Sequence, residues 1–274
     1  MLPLSELLDL VERLNEASVT CIGDLMLDRF IYGEVERVSP EAPVPVLRVA
    51  SESDMLGGAG NVARNLAALN VRSALAAVVG DDEAGHRTES LVRELPHCRA
   101  SLIVEPGRGT TIKTRCIGGN QQILRVDREQ RDAITQETAE ALLANIKENL
   151  AATRACILSD YGKGVLTAEL TRAVIELAHR NGCRVVIDPK GVDYERYRGA
   201  DVITPNREEL ATATGMPARQ EADLIRAAQH VRERYAIGAV VVTRSEEGLT
   251  VVEADEVHHL PAETHEVYDV SGAG

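Results

Sequence analysis

Short apolar runs alternate along the chain with stretches of helical period. VTCIG (19–23), ALAAVVG (74–80), ACILS (155–159), RVVID (184–188), DVIT (201–204) and AVVVT (239–243) have the character of buried strands. Between them, TAEALLANIKENL (138–150) and TAELTRAVIELAHRNG (167–182) carry apolar residues at helical spacing. In the second, Leu170, Val174 and Leu177 share a face, and Gly182 marks the stop. Strand–helix alternation over this length predicts an α/β fold, with a parallel sheet covered on both sides.

Two segments break that rhythm. RFIYGEVERVSPEAPVPVLRV (29–49) holds three prolines among alternating residues and reads as exposed strands. GTTIKTRCIGGNQQILRVD (109–127) reads as a hairpin turning near Gly118-Gly119-Asn120. Together they predict a small β lid, discontinuous in sequence, inserted in one domain spanning 1–274. The first twenty residues carry acids throughout and lack a cationic start, so they read as an amphipathic helix rather than a signal peptide.

Composition narrows the function. With 44% hydrophobic residues, one Phe and no Trp, aliphatic side chains must fill the core. A net charge of −13 argues against nucleic acid or an anionic membrane as the main partner. No apolar run has the length of a membrane span. Five scattered cysteines without a CxxC fit reduced thiols, hence a cytoplasmic protein, and speak against structural zinc.

Several stretches carry candidate chemistry, each with a structural reading beside it. GGAGNVARN (57–65) precedes a helix; its paired glycines allow close backbone approach to a ligand, and Asn61 suits a hydroxyl. It also fits a loose dinucleotide fingerprint, but SESDML before it is not a buried strand running into the turn, as that mechanism requires. In GDLMLD (23–28), Asp24 and Asp28 lie beyond a strand end, where sugar hydroxyls would be held, with Asp28 favoured; a solvated turn is the plain alternative. NREE (206–209) has the spacing of a capping box, and equally places Glu209 near a metal-bound or water-ordered phosphate. SDYGKG (159–164) and IDPKG (187–191) each end a strand with an acid followed by a lysine placed for a phosphate, or simply exposed. TRSEEG (243–248) suits a loop near a nucleotide, or a hairpin turn. In the lid, Arg108, Lys113, Arg115, Arg125 and Arg128 cluster within an acidic protein. Alternation puts Lys113 and Arg115 on one face, where they suit a dianionic phosphate or merely protect an edge strand. DVSGAG (269–274) is the most specific piece, a run of small residues of the kind that makes an anion hole before a helix.

In their order, these pieces resemble the ribokinase (PfkB) family of sugar kinases. GGAGN is similar to its sugar-binding glycine signature, GDDEAG (80–85) to its G-D-x-x-G turn, NREE to its N-x-x-E motif, and DVSGAG to the start of its C-terminal signature. Further blocks, including RVSPEAPVPV, NQQILRVD, LSDYGKG, YERYRGA and VTRSEEG, resemble the branch that phosphorylates O1 of D-glycero-D-manno-heptose 7-phosphate with ATP and Mg²⁺, towards ADP-heptose and lipopolysaccharide core. The resemblance implies a ribokinase-like three-layer α/β/α sandwich. It implies that Asp28, Gly57, Gly58 and Asn61 hold the heptose, and that Lys113, Arg115 and Arg125, with Gln121, meet the 7-phosphate. Asn206 and Glu209 order Mg²⁺ and the nucleotide phosphates, Glu209 through water, with Lys190 nearby. Thr243, Gly248 and Ser271 line the nucleotide, and Gly272, Ala273 and Gly274 form the anion hole. It also implies a homodimer through the lid; a monovalent cation near Asp269 stays open.

The family's general base is an aspartate directly after the G-A-G turn, so the expectation is a chain cut just short of it, with poor turnover over residues 1–274 and with Asp269 unable to substitute. Whether a nucleotidyltransferase follows is open. A different phosphosugar kinase, acting on fructose or tagatose phosphate, and a non-catalytic sugar-phosphate binder are the competing readings.

Overall fold

A computed structural model of the protein describes residues 3–263. Helix α1 (Leu4–Glu12) and strand β1 (Ser18–Gly23) are followed by two long strands, β2 (Leu25–Val38) and β3 (Pro45–Gly58). Next come α2 (Ala59–Ala68), β4 (Arg72–Gly80), α3 (Glu83–Arg93) and β5 (Cys98–Glu105). A hairpin of β6 (Thr111–Gly118) and β7 (Gln121–Arg128) leads into α4 (Gln136–Leu150). Then follow β8 (Ala155–Ser159), α5 (Ala168–Arg180), β9 (Arg184–Asp188), a 3₁₀ turn at Tyr194–Tyr197, β10 (Val202–Ile203), α6 (Arg207–Thr214) and α7 (Glu221–Arg234). The described chain closes with β11 (Ala239–Thr243), β12 (Leu249–Val252) and β13 (Val257–Leu260).

Nine strands form the main sheet in the order β13-β12-β11-β10-β9-β8-β1-β4-β5. It is parallel from β11 to β5, and only β12 and β13 run antiparallel. The period of two sorts its side chains. Along β4, Leu75, Ala77 and Val79 join the core beneath α2 and α3, whereas Ala76 and Val78 join the core beneath α4 to α7. The result is a three-layer α/β/α sandwich. With so few aromatics, Tyr194 and Tyr197 supply the largest fully buried side chains, edge to face at 5.6 Å.

Local chemistry fixes the helix ends. Thr167 caps α5 by accepting from Leu170 N. At the other end Gly182, at φ +69°, donates to His179 O while Cys183 N donates to Ala178 O, the paired bonds of a Schellman stop. Leu170, Val174 and Ala178 are buried on the face between.

The small sheet runs β3-β2-β6-β7. It is larger than the predicted segments 29–49 and 109–127: β2 begins at Leu25, directly after the main sheet, and β3 continues to Gly58. SESDML is thus a strand, but it pairs antiparallel with β2 and is largely exposed before Leu56. That is not the buried parallel strand of a dinucleotide turn. The hairpin turns at Gly119-Asn120, as expected from its glycines. No helix among the described residues is long and apolar enough to cross a membrane, which leaves β-barrel spans unaddressed.

Candidate active site

Two groups of polar residues collect at the carboxyl ends of the main strands, where open α/β sheets place their ligands. The first lies beneath the small sheet. Asp28, on β2, stands opposite Met55 of β3 and Lys113 of β6. Its carboxylate accepts from Arg115 Nη1 at 2.7 Å. The Arg115 guanidinium also lies 5.2 Å from the centre of the Phe30 ring, which holds it over the cleft. Gly57 must lack a side chain, because a Cβ there would collide with the Asp28 carboxylate. Gly58, at φ +59°, turns the chain from β3 into α2, and a Cβ on it would strike the Asp24 carbonyl. Asn61 follows in the first turn of α2. These elements enclose a cleft of about 260 Å³ lined by Asp28, Phe30, Gly58, Asn61, Lys113 and Arg115, with Arg64 and Tyr161 at its wall. Burial, then the nearby Lys163 ammonium, lowers the pKa of Lys113.

Not every predicted residue reaches this cleft. Arg125 stands across from Arg115 on β7, but it is exposed and donates to Asp127 at 3.0 Å. Gln121 is exposed at the hairpin tip, opposite Gly118. Asp24 is only 1% exposed and does not line the cleft. Its carboxylate accepts from the backbone N–H groups of Tyr161, Lys163 and Val165 at 2.8, 3.0 and 3.2 Å, so it pins the SDYGKG loop to β1. Lys163 is likewise turned inward, paired with Glu129 at 2.8 Å. That hydrogen bond pulls the Glu129 pKa down to about 2.

The second group lies beyond β9, β10 and β11. Asn206 caps α6 by accepting from Glu209 N at 2.9 Å, and Glu209 Oε2 accepts from Asn206 N at 3.1 Å, a complete capping box. The other Glu209 oxygen accepts from Lys190 Nζ at 2.8 Å. Thr243 bridges to Asn206 and donates its N–H to Pro205 O. Lys190, Asn206, Glu209 and Thr243 therefore share one place. Asp188 joins them from the end of β9, and burial, then the charge of Glu209, raises its pKa to about 6. TRSEEG forms the turn between β11 and β12, with Gly248 at φ +88°. Ser271, Gly272, Ala273 and Gly274 lie outside the described residues.

Sequence reasoning missed Arg64, Tyr161 and Asp188. Arg64 had a signal, since it lies three positions after Asn61 on a helix and so shares its face; its Nη1 donates to Asn61 Oδ1 at 3.4 Å.

The architecture is thus a mostly parallel nine-stranded sheet flanked by a four-stranded sheet, with a cleft between them. The family model of the pfkB family carbohydrate kinases matches residues 16–274, and the chain belongs to that family. It is 49% identical over 275 residues to the bifunctional protein HldE of Paramagnetospirillum magneticum, covering 100% of this chain and 56% of that protein. It is 46% identical over 263 residues to a D-beta-D-heptose 7-phosphate kinase of Bordetella bronchiseptica, covering 96% and 82%. The chain spans about half the length of the HldE proteins it matches. Among solved structures, phosphofructokinase-2 from Escherichia coli in complex with substrates and products superposes with a TM-score of 0.76 at 19% identity, covering 94% of this chain and 82% of that one. That likeness establishes the ribokinase-like fold.

Proposed function

We propose that this chain is the kinase part of a protein that uses ATP to phosphorylate the anomeric O1 of D-glycero-D-manno-heptose 7-phosphate. The observation that carries this reading is the cleft beneath the small sheet. There an acid and an amide suited to sugar hydroxyls meet two sheet cations suited to a phosphate. The identity to a protein named as a heptose 7-phosphate kinase supports the choice of sugar.

In this reading Asp28 and Asn61 take the heptose hydroxyls, and Gly57 and Gly58 let the backbone come close. Lys113 and Arg115 hold the 7-phosphate by charge-assisted bonds, with Arg125 adding positive potential one strand further out. Gln121, exposed at the hairpin tip opposite Gly118, is given no role in this reading. The second group suits a magnesium nucleotide: Asp188 and Glu209 offer hard oxygen donors, and Lys190 offers an ammonium for phosphate. When bound, ATP supplies the phosphoryl group and Mg²⁺ offsets its charge. Asn206 keeps Glu209 in place, while Thr243 and Gly248 border the nucleotide. An anion hole of Gly272, Ala273 and Gly274, with Ser271, and any monovalent cation beside Asp269 belong to the same proposal. So does a homodimer through the small sheet, where Val35, Val38, Val49, Leu124 and Val126 are exposed.

Calorimetric titration with D-glycero-D-manno-heptose 7-phosphate, against fructose 6-phosphate, tests the reading. Saturable binding selective for the heptose is expected. Equal binding of both would widen the specificity to phosphosugars in general, and no binding of either by a folded chain would overturn the proposal.

A further inference from the structure

Behind the Lys190–Glu209 pair lies a buried polar node that none of the roles above uses. Tyr197, in the 3₁₀ turn after β9, is fully buried. Its hydroxyl donates to Asp160 Oδ2 at 2.7 Å. A hydroxyl has one proton, so with that proton given to the carboxylate the oxygen is left to accept, and it accepts from Lys190 N at 3.1 Å. Asp160 is itself 3% exposed, accepts from Gly162 N at 2.8 Å, and gives its own N–H to Asp188 O. Arg196 closes the node by donating to Asp160 Oδ2 and to Leu166 O, with its guanidinium 5.2 Å from the Tyr197 ring. One side chain thus ties the loop after β8 to the loop after β9.

The second loop needs such a tie. Lys190 is exposed and sits between Pro189 and Gly191. Gly191 is at φ +85° with open space around it, so packing on that side restrains nothing. The N–H of Lys190 is anchored at Tyr197, and the side chain of Lys190 then reaches Glu209 at 2.8 Å. We infer that Tyr197, backed by Asp160 and Arg196, is a positioning residue that sets the Lys190 backbone so that the Lys190–Glu209 pair meets the nucleotide phosphates. This rests on the reading of that cluster as the nucleotide end of the site.

The test is Tyr197→Phe in the full-length protein, titrated separately with Mg·ADP and with heptose 7-phosphate, with hydrogen exchange followed at the Lys190 amide. Loss of one hydrogen bond should weaken Mg·ADP by about three- to tenfold, leave the phosphosugar Kd within about twofold, and speed exchange at Lys190. A merely structural role predicts that both ligands weaken by the same factor, and that result overturns the inference, as does an unchanged Mg·ADP affinity. If the unaltered protein binds the phosphosugar but not Mg·ADP, the reading of the Lys190 cluster fails and takes the inference with it. If it binds both and Tyr197→Phe keeps both, only the inference fails. Should Tyr197→Phe not fold, Arg196→Lys keeps the charge beside Asp160 but not the fork to Leu166 O. It should shift the same readouts in the same direction by less, and equal shifts for both ligands overturn the inference there too.

Discussion

The cleft beneath the small sheet and the cluster beyond β9 and β10 hold charge in opposite ways. In the cleft, Arg64, Lys113 and Arg115 outnumber Asp28, so the empty space between them is positive. In the cluster, Asp188 and Glu209 outnumber Lys190, and burial, then the Glu209 charge, raises the Asp188 pKa to about 6. The first arrangement suits an anion bound directly. The second suits an anion that arrives with a divalent cation. A net charge of −13 therefore does not decide the potential at either place, because local geometry sets each one.

The contrast can be broken from either side. The largest effect is expected from Lys113→Ala, which removes a half-buried cation from the cleft. Losing a charged partner costs about 1.5–3 kcal/mol, so phosphosugar affinity should fall by roughly 10- to 150-fold by calorimetry while Mg·nucleotide affinity holds. An equal loss at both ends would mean the two potentials are not separate. Glu209→Gln acts on the other side. It removes the anion facing Lys190 but keeps a side chain able to cap α6, so Mg·nucleotide binding should weaken by about tenfold, with the melting temperature nearly unchanged. A drop in melting temperature without loss of nucleotide would assign Glu209 to capping alone.

Asp188→Asn sharpens the comparison through pH. Because the folded pKa of Asp188 is raised, its contribution to stability is complete below the unfolded value and is lost as pH rises through about 6. The amide cannot ionise, so this variant should be more stable than the parent at pH 7.5, by on the order of 1–2 kcal/mol, and should lose that advantage near pH 4. Denaturant titration at both pH values checks the sign, and Mg²⁺ should stabilise the parent more than the variant. Gln121→Ala should be the mildest, changing phosphosugar affinity and stability by less than about 0.5 kcal/mol. A larger change in binding would return the hairpin tip to the site.

The main sheet was legible because its parallel strands are buried on both faces and read as continuous apolar runs. The small sheet was legible only in part, since SESDML is mostly polar, is largely exposed before Leu56 and shows no apolar alternation. The short β12 and β13, four residues each, offered too little pattern. Within the site, Asp24 and Asp28 look alike in sequence. What separates them is that the chain leaves the main sheet for the lid between the two, so one carboxylate is enclosed by backbone amides and the other opens on the cleft. Lys163 and Lys190 follow strand-ending acids in the same way, yet one turns to Glu129 and the other to Glu209. YERYRGA announced no chemistry, because the acid its Tyr197 serves is 37 positions away.

The pairing of β2 with β6 is parallel, and it brings Asp28 to Arg115 across 87 positions of chain. A parallel pair cannot be closed by a tight turn, and everything from β3 to β5 must be threaded between its two strands. Closing so long a loop costs entropy before any contact of the pair repays it, and contacts of this range are made slowly. The cleft should therefore form late in folding, after the layers on either side of β1 and β4. Refolding followed by phosphosugar binding should lag behind refolding followed by backbone signal, so that ligand capture marks the last molecules to arrive rather than the first to collapse.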